Sequence, residues 1–212
     1  MTTIAVFASG RGSNFKNLYQ AIQAGKLSAS LGVVVSNNPG APVVATARSL
    51  HIPVEVLSPS KYEQPSIYER DLQAVLAKHQ IEWIVLAGYM KKIPESIVSQ
   101  YRNRIVNIHP ALLPAFGGKG MYGMHVHRAV FQSGAQVTGV TIHFVNEEYD
   151  EGPIIYQEPV IIRECRSPEA IAEKVLQVEH QIYPAVLNRL FTESYEVIDK
   201  RVYFKEKEQI HD

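Results

Sequence analysis

Asn107-Ile108-His109-Pro110 sets an amide and an imidazole two residues apart at the end of an apolar run. The lead-in, Arg104-Ile105-Val106, reads as strand, and Pro110 stops the ladder because it has no N–H. Positions i and i+2 of a strand face the same side, so Asn107 and His109 are expected to project together. An amide donor beside an imidazole suits a reaction in which a carbonyl oxygen gains negative charge. Downstream, Tyr149-Asp150-Glu151-Gly152-Pro153 offers a carboxylate in a turn, a candidate orienter or proton acceptor for the histidine. Taken singly, each piece has a plainer reading. A strand-end Asn and His can simply satisfy local backbone groups, and Asp before Glu-Gly-Pro is a common turn former.

Two further segments carry chemistry of their own. Ser9-Gly10-Arg11-Gly12-Ser13-Asn14 follows the first apolar strand and opens a helix. A helix N-terminus leaves free N–H groups and partial positive charge, and glycines let a ligand approach the backbone, so a phosphate fits there. The run is neither the dinucleotide G-x-G-x-x-G fingerprint nor a P-loop. The plainer reading is a tight turn with Ser13 or Asn14 as N-cap. Leu86-Ala87-Gly88-Tyr89-Met90-Lys91-Lys92-Ile93-Pro94 follows the fourth strand. Open α/β sheets bind ligands beyond the carboxyl ends of their strands, where strand order reverses, and all three segments would share that edge. The alternative is an ordinary connection with solvated lysines and with Met90 and Ile93 in the core.

The elements that must position these residues alternate. Strands are expected at Thr3–Ala8, Gly32–Ser36, Pro53–Leu57, Trp83–Ala87 and Ile105–Ile108, with helices near Asn14–Ala24, Pro42–His51, Ser66–His79 and Pro94–Gln100. Such alternation with near-continuous apolar strands predicts a Rossmann-like open α/β sheet, mostly parallel, with helices on both faces. After His109 comes a glycine-rich loop, Phe116 to Gly123, and a helix near His125–Ser133. Two longer strands at Gln136–Phe144 and Ile154–Ile162, joined by the Asp150 turn, predict an antiparallel addition. Ser167-Pro168-Glu169 opens a long helix to about Phe191 with a kink expected at Pro184, and Tyr195–Ile198 with Arg201–Phe204 reads as a terminal hairpin. No linker divides the chain, so residues 1–212 are expected to form one domain. Its phosphate-substrate half would be about 1–100 and its catalytic half about 101–212.

Apolar residues make up 46% of the chain and charged residues 20%, which marks a globular protein. Lys+Arg and Asp+Glu are equal at 21 each, so no field argues for nucleic acid or an anionic membrane as partner. With Cys165 as the one cysteine, no internal disulfide can form. His125 and His127, two residues apart in a helix, do not share a face, and no zinc-ligand spacing occurs, so metal catalysis is unsupported. The first strand starts at once and no apolar run approaches the ~20 residues of a spanning helix, so the expected address is the cytoplasm.

Together these features resemble the phosphoribosylglycinamide formyltransferase family. The resemblance rests on Gly10-Arg11-Gly12-Ser13-Asn14, Leu86-Ala87-Gly88-Tyr89-Met90 and Asn107-Ile108-His109-Pro110-Ala111-Leu112-Leu113-Pro114. It continues in Gly139 to Val145, Tyr149-Asp150-Glu151-Gly152-Pro153 and Glu179-His180-Gln181-Ile182-Tyr183-Pro184. It implies formyl transfer from 10-formyltetrahydrofolate, a consumed cosubstrate, to the amino group of 5-phosphoribosylglycinamide. It assigns catalysis to Asn107, His109 and Asp150, the substrate phosphate to Arg11, Gly12, Ser13 and Asn14, and the ribose to Glu179. Folate would lie along Met90, Lys91, Lys92, Ile93, Asn107, Asn146, Glu147, Glu148 and Tyr149. On this reading Asp150 raises the His109 pKa so that a protonated imidazole and the Asn107 amide form an oxyanion hole. A homodimer stays open.

The chain departs from some relatives in the Gly117 to Gly123 connection and in lacking an arginine near Glu63-Gln64-Pro65, where Arg70 or Lys92 would have to serve the folate tail. Among rival readings, a methionyl-tRNA formyltransferase would bring a further C-terminal domain and a formyltetrahydrofolate deformylase an N-terminal one. A non-catalytic nucleotide-binding module would not need the Asn107, His109 and Asp150 set.

Overall fold

β1 (Thr2–Phe7) shows why the parallel half of the sheet is covered on both sides: Ile4, Ala5, Val6 and Phe7 are all fully buried. The computed structural model describes residues 1–205. β1 pairs in parallel with β2 (Ala29–Ser36) on one side and β4 (Trp83–Leu86) on the other. β3 (Val54–Val56) extends the sheet from β2 and β5 (Ile105–His109) extends it from β4, both in parallel. Alternate residues serve opposite cores. Ile4 and Val6 join Phe15 and Leu18 of α1 (Ser13–Gln23) and Val43 of α2 (Pro42–Ser49). Ala5 and Phe7 join Tyr68, Leu72 and Leu76 of α3 (Pro65–Lys78) and Ile97 of α4 (Glu95–Gln100). The four-residue spacing in α3 is that of one helical face.

The second half reverses direction as expected. After α5 (Met124–Gln132), β6 (Val137–Phe144) runs antiparallel to β5, and β7 (Ile154–Ile161) antiparallel to β6. The hairpin of β8 (Tyr195–Ile198) and β9 (Arg201–Phe204) docks on β7 through Ile154 and Arg201. Among the described residues the sheet thus reads β3-β2-β1-β4-β5-β6-β7-β9-β8. The chain winds outward from β1 to β3 and then returns to β1's other side, which opens a crevice between the loops after β1 and β4. No helix of the described residues is long and apolar enough to cross a membrane.

Two local readings change. β2 starts at Ala29, ahead of Gly32, because pairing of Ala29 and Ser30 with Thr2 and Thr3 supplies what their weak strand propensity does not. The N-cap of α1 is Gly12, at φ 75, with no side-chain cap, so neither Ser13 nor Asn14 plays that part. α6 (Pro168–Thr192) runs through Pro184 to Thr192, the span read from the sequence. Pro184 has no N–H for the His180 carbonyl four residues back, but the Asn17 amide of α1 donates to that oxygen at 2.7 Å. The helix start is as read: the Ser167 hydroxyl accepts from the Ala170 N–H at 3.1 Å.

Candidate active site

β5 ends at His109, and Asn107 and His109 both line a cavity of about 260 Å³. Antiparallel pairing places His143 of β6 directly opposite Asn107. The His143 Nδ1 lies 2.8 Å from the Phe144 carbonyl, which can only accept, so Nδ1 carries the proton. A neutral ring then offers a lone pair at Nε2, and the Asn107 NH₂ lies 3.1 Å away and donates to it. This fixes the amide's orientation and leaves its second N–H free of that bond. His109 is held in the opposite sense: its Nε2–H donates to the Phe116 carbonyl at 2.9 Å, so Nδ1 is the nitrogen that faces Asp150.

Asp150 reaches the site from the β6–β7 connection, which folds back on the sheet. The Val145 N–H donates to Ile105 and the Phe144 N–H to Pro153, both at 2.9 Å. A Cβ on Gly152 would sit 1.8 Å from the Phe144 oxygen, so only glycine permits this approach. Asp150 adopts φ 58 and accepts the Gly118 N–H at 2.9 Å. Its carboxylate stands 3.7 Å from His109 Nδ1 and 3.6 Å from His143 Nε2, beyond good hydrogen-bond length. The structure therefore brings the three sequence-derived candidates together and adds His143 between them.

The electrostatics correct one expectation. Burial pushes the His109 pKa below its ordinary value and outweighs the attraction of Asp150 and the bond to Phe116, which raise it. That direction favours the neutral ring near pH 7 over the protonated one expected from the sequence. Burial raises Asp150, but His143 and His109 in their protonated forms, with the Gly118 N–H, hold its carboxyl below the usual range. His127 of α5, also on the cavity wall, is pushed down to about 4 by burial and then by His109, and its buried Nδ1 has no partner among the described residues.

Around this centre Met90, Lys91, Lys92 and Ile93 line one wall, and Asn146, Glu148 and Tyr149 another. Glu147 does not join them; it lines a separate groove with Arg102 and Lys200. Arg70 pairs with Asp71 away from the cavity, whereas Lys92 lies on its wall beside Glu95. Gly118, Gly120, Met121 and Tyr122 make the glycine-rich connection a wall of the site.

Of the first loop, Asn14 reaches the cavity, while Arg11 is exposed and Gly12 is buried against Val43. The Asn14 amide donates to Glu179 of α6 at 2.8 Å across the cavity floor, and its own oxygen is buried without a partner among the described residues. Burial raises the Glu179 carboxyl to about 7 against the opposing effect of that bond. Tyr183, one turn on, donates to the Leu86 and Val106 carbonyls at 2.9 and 3.2 Å and ties α6 beneath β4 and β5.

Sequence reasoning passed over His143 and His127. A polar residue inside the apolar run Val140 to Phe144 was the available signal for His143, but its register with Asn107 exists only once β6 reverses. Helical spacing separates His127 from His125 but says nothing of what the helix packs against.

Residues 2–187 match the family described as formyl transferase. The chain is 38% identical over 190 residues to the phosphoribosylglycinamide formyltransferase of Bacillus subtilis, covering 90% of this chain and 95% of that protein. To the chloroplastic phosphoribosylglycinamide formyltransferase of Arabidopsis thaliana it is 44% identical over 191 residues, 90% of this chain but 65% of the plant protein's length. A solved phosphoribosylglycinamide formyltransferase from Bacillus halodurans superposes with a TM-score of 0.84 at 40% identity, over 90% of this chain and 96% of that one. With the sheet order, the cavity and these matches in agreement, the chain belongs to the formyl transferase family and stands among its phosphoribosylglycinamide formyltransferases.

Proposed function

We propose that this protein transfers the formyl group of 10-formyltetrahydrofolate to the amino group of 5-phosphoribosylglycinamide, giving the N-formyl product and tetrahydrofolate, as a step of purine synthesis. The observation that carries the reading is the meeting of Asn107, His109 and Asp150 on one cavity that also holds Asn14 and Glu179. The first group suits acyl transfer and the second an anionic, hydroxylated acceptor. The uncapped N-terminus of α1, at Gly12, Ser13 and Asn14, would take the phosphate, with the exposed Arg11 at its edge. Glu179 accepts from ribose hydroxyls, and folate lies along Met90 to Ile93 and the wall of Asn146, Glu148 and Tyr149.

The amine attacks the formyl carbon, forming a C–N bond and placing negative charge on the formyl oxygen. The free N–H of Asn107 donates to that oxygen. The proton lost by the amine goes to the open Nδ1 of His109, where Asp150 stabilises the new imidazolium. His109 then returns that proton to the folate nitrogen as its bond to the formyl carbon breaks. A His109 whose pKa is lowered by burial, and so can take up a proton, is what this sequence of steps requires. Purified protein given 10-formyltetrahydrofolate tests the reading. Folate release that depends on 5-phosphoribosylglycinamide is expected, and release with no amine present would mean hydrolysis instead.

A further inference from the structure

Ser9 sits in the crevice between β1 and β4, 8% exposed, and fastens the two loops that flank it. Its backbone N–H donates to the Gly88 carbonyl at 3.1 Å. Its hydroxyl accepts the Met90 N–H at 2.8 Å and donates to the Asn37 side-chain oxygen. Gly88 turns the chain at φ 78, so the Ser9 bonds close on either side of that turn. The next residue, Gly10, accepts the Val43 N–H at 3.2 Å, which anchors the same loop to α2. Ser9 itself does not line the cavity, yet the wall at Met90 and the run leading to Asn14 both hang from it.

We propose that Ser9 is a positioning residue that couples the occupancy of the phosphate-side loop to that of the folate-side loop, so that the two substrates bind with positive cooperativity. The inference rests on the proposed function, since it needs one ligand on each side. The physical ground is that neither loop shifts without losing a bond to Ser9. A ligand that orders one loop therefore leaves the other already ordered, and the second ligand meets a smaller conformational cost. The hydroxyl has one hydrogen to give, and it goes to Asn37, which leaves its lone pairs for Met90.

Calorimetric titration of tetrahydrofolate, with and without saturating 5-phosphoribosylglycinamide, tests this without turnover, because no formyl group is present. The wild-type protein is expected to bind the folate about 5-fold or more tighter in the presence of the second ligand. Ser9→Ala should bring that factor close to one while each ligand alone still binds, and Ser9→Thr, which keeps the hydroxyl, should restore it. Asn37→Ala leaves the backbone bonds of Ser9 in place and should lower the factor partway; it carries the test if Ser9→Ala does not fold. A folded Ser9→Ala that keeps the wild-type factor, or a wild type that binds both ligands independently, overturns the coupling. Failure of the wild type to bind either ligand would instead overturn the proposed function, and the coupling with it.

Discussion

The Asn107 amide and the His143 ring are locked to each other: Nδ2 meets Nε2 at 3.1 Å while the far side of the ring holds the Phe144 carbonyl. Asn107 therefore cannot flip without facing its oxygen to a lone pair. His143→Ala should let the amide turn and lower kcat by ~10–10²-fold with KM little changed, against ~10²–10³ for Asn107→Ala. The double variant should be no slower than Asn107→Ala alone. Additive losses in steady-state kinetics would show that His143 acts by some other route.

Because burial lowers the His109 pKa, the acid limb of kcat/KM should fall below pH 6.5, with activity lost as pH drops through the lowered His109 value. Asp150 attracts a proton onto the ring, so Asp150→Asn should move that limb to still lower pH and slow the plateau rate. His109→Ala should keep the fold and lose most turnover. Circular dichroism and pH–rate profiles decide both points.

Burial of the Glu179 carboxylate works against the fold at high pH. The carboxyl titrates near 7 in the fold, well above an unfolded glutamate, so the native state holds the extra proton between about pH 4.5 and 7. Stability therefore declines as pH rises through that window. Glu179→Gln removes the penalty and should stabilise the unliganded protein at pH 8 by on the order of 2 kcal/mol, while weakening 5-phosphoribosylglycinamide binding. Chemical denaturation at pH 4 and pH 8 would expose the trend; equal gains at both would contradict it.

Gly117 lies against Asp150. A Cβ there would come within 2.5 Å of the Leu113 side chain and 3.3 Å of the Asp150 Cβ. Gly117→Ala should push the Phe116–Gly118 turn off both His109 and Asp150 and cut kcat by ~10-fold or more, since small displacements of positioned groups are costly. The melting temperature should move by only a few degrees. An unchanged kcat would mean that the turn can yield without moving Asp150.

The parallel half of the fold was legible because strands buried on both faces spell themselves as apolar runs, as in Ile4 to Phe7. The meeting of Asn107 with His109 followed from strand periodicity alone. What the sequence concealed was set by tertiary contact. The helix through Pro184 was readable, but the Asn17 amide that caps its freed His180 carbonyl was not, since these residues lie more than 160 positions apart. The direction of the His109 pKa shift was misjudged because a carboxylate neighbour can be read from residue types, whereas the depth of burial that overrules it cannot. Glu147 was expected beside Glu148 on the folate wall; which way each residue of a folded-back connection faces has no periodic signal.

That connection has a further consequence. Asp150 is not mounted on a strand end but delivered by a return path pinned at both ends, by the pairing of Phe144 with Pro153 and by the contact of Gly152 with the Phe144 carbonyl. The number of residues between those pins, more than their identity, sets where the carboxylate arrives. Composition here is free to drift, but a single insertion or deletion would leave every strand in register and carry the carboxylate away from His109.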